Sequence, residues 1–89
     1  MENLNEAVIT TRFVLENNST IVSVFRDEDG DWQFFGKEEN ISEGDAKVVS
    51  LEEILQIDPT LKELLDINNG SHAHRESKED DWIVEKYEQ

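Results

Sequence analysis

Three groups of residues in this chain have types and spacings that could do chemistry. Asp27, Asp29, Asp31 and Glu38 occupy positions one, three, five and twelve of a calcium-binding EF-hand loop. Position six must be glycine for the sharp turn, but here it is Trp32, and the flanks read as strands rather than helices. A solvated hairpin turn, whose carboxylates keep the sheet end wet and unaggregated, is the preferred interpretation. His72-Ala73-His74, placed in a strand, sets two imidazoles on one face at a spacing able to share a transition metal. Two ligands do not make a site, and a third must come from a carboxylate such as Glu76 or from a distant loop. Surface or packing histidines are therefore preferred. Ser71 or Ser77 beside those histidines supplies the types of a nucleophile and a base. No nucleophile elbow or oxyanion-hole glycine cluster accompanies them, so acyl transfer is not expected. The expectation is a non-enzymatic protein with no catalytic set, no metal site and no cofactor.

The elements that must carry these residues follow from periodicity. Ala7 to Leu15 begins as a strand, with Phe13-Val14-Leu15 equally able to form one helical turn. Thr20 to Phe25 is β-branched and nearly continuously apolar, as a central strand requires. Asp29-Gly30 signals a hairpin, with Trp32 to Phe35 as the returning strand. Lys37 to Asp45 is a polar loop, and Ala46 to Val49 reads as another strand. From Ser50 the period becomes helical: Ser50-Leu51-Glu52-Glu53 has the form of a capping box, and Leu51, Ile54 and Leu55 share one face. Asp58-Pro59 stops that helix, Thr60 to Glu63 repeats the capping pattern, and Asn68-Asn69-Gly70 ends the second helix. Ser71 to Glu76 and Trp82 to Val84 form a last pair of short strands. The expected fold is α+β: a small antiparallel sheet of four to six short strands, with one or two short helices at about 51–58 and 61–67 on one face. Residues 1–6 are expected to be a flexible N-terminus, 7–84 a single domain and 85–89 a frayed tail. Trp32 and Trp82 are expected as core anchors.

Composition narrows the partners. At 89 residues the chain is one domain, in which only roughly 60–65% of the unfolded surface can be buried. With 22 acidic against 8 basic residues, the net charge of −14 repels nucleic acids and anionic lipid, so neither is an expected partner. Its complement is a protein with a basic surface. There is no cysteine, which excludes disulfides and thiolate sites. The N-terminal hexapeptide has no signal-peptide pattern and no stretch has the apolar length of a membrane span, so a soluble cytoplasmic protein is expected. Candidate protein-binding residues are Asp27, Glu28, Asp29 and Asp31 on the hairpin, with His72, His74, Arg75 and Trp82 as an alternative surface. Two other classes stay open: a regulatory or ligand-sensing domain with Trp32 and Trp82 lining a pocket, and a metal-binding protein using His72 and His74.

The order of several segments resembles a known family. These are Val8-Ile9-Thr10-Thr11 with Phe13-Val14-Leu15-Glu16, Ile21 to Arg26, Asp31-Trp32-Gln33-Phe34-Phe35-Gly36, Leu51 to Leu61 through the Asp58-Pro59 break, and Gly70 with Ala73, Arg75 and Trp82. Together, over roughly Ala7 to Ile83, they are similar to the bacterial immunity-protein-33-like family, small domains of unknown function proposed as toxin-immunity proteins. The resemblance implies that the chain binds and neutralises a cognate bacterial toxin by occlusion rather than by chemistry. It carries over no set of binding residues.

Overall fold

The computed structural model describes residues 3–87. Six strands, β1 (Ala7–Thr11), β2 (Ser23–Arg26), β3 (Trp32–Phe35), β4 (Ala46–Ser50), β5 (Ser71–His74) and β6 (Ile83–Lys86), form one sheet in the order β4-β1-β3-β2-β5-β6. Two α-helices, α1 (Arg12–Glu16) and α2 (Leu51–Ile57), and two 3₁₀ helices, Glu43–Asp45 and Pro59–Leu64, complete this α+β domain. The expected antiparallel sheet is corrected to a mixed one, because β1 runs parallel to β3, with Ile9 opposite Gln33. The cause is α1. This single turn, capped by Thr11 accepting from the Val14 amide, separates β1 from β2, and the β2–β3 hairpin then sets β3 between them in the sheet.

Alternation within each strand assigns the faces. Val8 and Thr10, Val24, Trp32 and Phe34, and Ala73 point to one side and are buried. There they meet Val14 of α1, Leu51, Ile54 and Leu55 of α2, and Leu61 and Leu64 of the 3₁₀ helix in a single core. Full burial of one such side chain, for example Phe34, stabilises the fold by ~1.5–3 kcal/mol. As expected, Trp32 is a core anchor, 1% exposed, with Phe34 stacked beside it and the Arg26 guanidinium 4.6 Å from its ring.

Several local expectations change. Ser50 caps α2 by accepting from the Glu53 amide at 3.1 Å. The second helix begins earlier than expected, at Pro59, and is 3₁₀; its cap is Asp58 rather than Thr60. Asp58 Oδ1 accepts from the Thr60 amide and hydroxyl, so the side chain that ends one helix begins the next. Within the expected N-terminal segment, the carbonyls of Glu6 and Leu4 accept from the amides of Leu51 and Glu52. These amides belong to the first turn of α2 and need acceptors from outside the helix. At the other end β6 runs into the expected tail as far as Lys86, and the Tyr87 amide donates to the Gly70 carbonyl at 2.7 Å. Residues 1, 2, 88 and 89 lie outside the described part of these two segments.

Among the described residues no helix is long and apolar enough to cross a membrane.

Candidate functional site

Among the described residues, no helix buries a side chain on the sheet face turned away from the core. The buried residues of α1, α2 and the Pro59–Leu64 helix all join the core, and Glu43–Asp45 buries none. Strand register runs one continuous row across this open face: Val48, Ile9, Gln33, Phe25, His72 and Glu85, one residue from each strand. A parallel row holds Phe35, Ser23, His74 and Ile83. Such a face is normally polar where it meets water. Here Val48 is 70% exposed, Ile83 55% and Ile9 38%, and Phe25 and Phe35 are half-buried.

An aromatic and histidine cluster occupies the middle. Phe25 stacks on His72 with ring centroids 4.2 Å apart and planes 2° from parallel, and Tyr87 and Phe35 approach Phe25 edge-on at 4.9 and 6.1 Å. On its other side His72 Nε2 is hydrogen-bonded to the Ser23 hydroxyl at 2.8 Å. His74 Nε2 meets the Glu85 carboxylate at 2.6 Å. Burial pushes the His72 pKa below the ordinary histidine value; the neighbouring His74 lowers it further, while Glu85 opposes both. Burial and His74 thus both favour the neutral ring of His72.

The serine that meets a histidine is therefore Ser23, not Ser71 or Ser77. Ser71 alternates with His72 and is buried on the core side, and the Ser77 hydroxyl donates to Asp80. The carboxylate beside the histidines is Glu85 rather than Glu76. Ser23, Phe25, Tyr87 and Glu85 were not among the candidate residues, because their proximity depends on which strands pair.

The alternative surface of His72, His74, Arg75 and Trp82 is divided by the structure. The two histidines lie on the open face, whereas Arg75 is 6% exposed and its guanidinium is spent on the interior. It donates to the Ile21 carbonyl, the Asp58 carboxylate at 2.6 Å, the Thr60 hydroxyl and the Lys78 carbonyl. It also lies 4.1 Å from the ring of Trp82, which is half-buried against the core. Arg75 is thus buried rather than on the surface, and Trp82, expected as a core anchor, is half-buried beside it.

The acidic hairpin forms at the expected place, as a five-residue connection from Asp27 to Asp31 between β2 and β3. Gly30 takes φ +88°, which favours glycine. Asp27 Oδ1 accepts from the Asp29 and Asp31 amides, so this carboxylate builds the turn from within. Gly70, at φ +77°, donates its amide to the carbonyls of Arg26 and Asp27 and seats the turn against β2. Glu38, the twelfth EF-hand position, lies beyond the opposite end of β3 and accepts from Ser19. The four carboxylates do not converge as an EF-hand. Asp27, Asp29 and Asp31 alone bring one oxygen each within 4.8 Å of one another.

A groove of about 320 Å³ joins the hairpin to the open face, lined by Ala7, Ile9 and Val48 on one side and by Asp27, Asp31 and Gln33 on the other. No family model, curated protein or solved structure matches this chain.

Proposed function

We propose that this chain is a non-enzymatic protein-binding module that takes a partner with a basic surface against the open sheet face and the adjoining hairpin. The observation that carries it is the groove that sets the exposed Ile9 and Val48 beside the carboxylates of Asp27 and Asp31. An apolar wall with acidic groups at one end suits a lysine or arginine side chain, whose methylene stem packs while its charge pairs. Exposed apolar patches rimmed by charge mark interaction sites. The field of a chain with net charge −14 steers a basic partner toward this face and raises its association rate. The resemblance to the immunity-protein-33-like family supports a toxin as that partner, neutralised by occlusion of its active site.

The test is kinetic, on a partner first captured from cell lysate and then identified. Val48→Lys and Ile9→Lys should weaken the complex by more than about tenfold, as charge placed in an interface core does. Unchanged affinity in both variants would remove the open face from the interface.

A further inference from the structure

We propose that His72, His74 and Glu85 form a site for a divalent transition-metal ion of the zinc class on the open face of the sheet. Two imidazoles and one carboxylate are a donor set that zinc takes with water in the fourth position. The fold brings them together by two independent registers. His72 and His74 are two residues apart on β5 and share its outer side, with ring centroids 5.1 Å apart. Glu85 stands directly opposite His72 on β6, and its carboxylate already holds His74 Nε2 at 2.6 Å. His74 and Glu85 are open to solvent, 36% and 61% exposed, so an ion can enter without unfolding.

His72 is the fixed member of the set. Phe25 stacks on its ring, and Ser23 bonds Nε2 at 2.8 Å, which leaves Nδ1 as the nitrogen free to bind. A metal-binding histidine characteristically donates its other ring nitrogen to an oxygen acceptor, which fixes the tautomer; Ser23 stands in that place. Closure round an ion exchanges the hydrogen bond between His74 Nε2 and Glu85 for two bonds to the metal, the Nε2 proton passing to solvent or to Nδ1 of the same ring. Rotation of the exposed His74 and Glu85 side chains then brings their donor atoms to Nδ1 of His72. Among the described residues, the donors already gathered within 4.8 Å are those of the hairpin, Asp27, Asp29 and Asp31. That set is all oxygen, with Asp27 Oδ1 already accepting from two amides, and suits a hard cation rather than a zinc-class ion.

The experiment is calorimetric titration of the full chain with zinc chloride after removal of adventitious metal by chelator, together with cobalt(II) absorption to read coordination. One zinc ion per chain in the micromolar range, with the intense visible bands of four-coordinate cobalt, is the expected result. His74→Gln and Glu85→Gln, both exposed and harmless to the fold, should each weaken binding by more than about tenfold. Ser23→Ala should weaken it about tenfold through the lost orienting bond. Binding only in the millimolar range would overturn the site. So would binding that survives the double variant His72→Gln/His74→Gln, or that is abolished by Asp29→Asn instead. If the histidine variants melt early, zinc titration of the Glu85→Gln variant, its fold verified by circular dichroism, still decides the matter.

Discussion

The guanidinium of Arg75 and the carboxylate of Asp58 meet at 2.6 Å in the interior, their side chains 1% and 7% exposed, joining the end of β5 to the junction of α2 and the following 3₁₀ helix. Each partner is also committed elsewhere, Arg75 to the Ile21 carbonyl and Asp58 to Thr60. A buried ion pair contributes little net stability, but removal of one partner leaves the other charge without compensation.

Arg75→Met should therefore lower the unfolding free energy by ~3–5 kcal/mol, read from urea denaturation. The double variant Arg75→Met/Asp58→Leu should recover part of that loss. A single variant that unfolds at the wild-type urea concentration would show that the pair holds nothing together.

Trp32→Ala should cost ~3–5 kcal/mol, a large share of the ~5–15 kcal/mol typical of a whole domain. Trp32 is 1% exposed, so the cavity left behind opens at the centre of the core. A cooperative melt within a few degrees of wild type would contradict its role as anchor.

The hairpin carboxylates should separate into one that builds the turn and others that do not. Asp27→Ala removes the acceptor of two backbone amides and should destabilise the domain by ~1–2 kcal/mol. Asp29→Asn, at an exposed position, should stay within about 0.5 kcal/mol of wild type. Calorimetry should find calcium binding no tighter than millimolar, since Glu38 is held by Ser19 away from the turn. Micromolar calcium affinity would reverse this account.

Salt should act on partner association through the remaining carboxylates. Exposed charges more than about 8–10 Å apart are screened at physiological ionic strength, so the on-rate should fall as salt rises. Replacing Glu28, Asp29 and Asp31 by Gln or Asn should reduce both the rate and its salt dependence while the fold persists. A rate indifferent to salt and to these changes would rule out steering.

The His72 environment sets a pH dependence. Its folded pKa lies below the unfolded value, so the unfolded chain binds more protons as pH falls through the ordinary histidine range near 6.5. Stability should be complete above that range and decline below it until the folded group also titrates. Two charged neighbours act on this ring, His74 lowering its pKa and Glu85 raising it. With chelator present, His72→Gln should flatten the slope of unfolding free energy between about pH 7.5 and 5.5. An unchanged slope would place the titration elsewhere.

What the sequence determined by itself was everything that depends on near neighbours. The hairpin at Asp29-Gly30, the helix begun by Ser50, the break at Asp58-Pro59 and the two late strands all rest on steric and hydrogen-bonding preferences within a few residues. The faces were less legible: Thr20 to Phe25 read as a continuously apolar central strand, whereas the strand is Ser23–Arg26 and buries Val24 while Phe25 stays half-buried on the open face. Tertiary structure alone decided which strands are neighbours, because pairing is a contest among distant segments that local preference does not resolve. Hence the parallel pairing of β1 with β3 was not foreseen, nor the meeting of Ser23 with His72 across 49 positions of sequence. Arg75 illustrates the same limit. A lone arginine after His74 reads as a surface charge, and it became a core residue because Asp58 and the Ile21 carbonyl arrive from elsewhere to satisfy its donors.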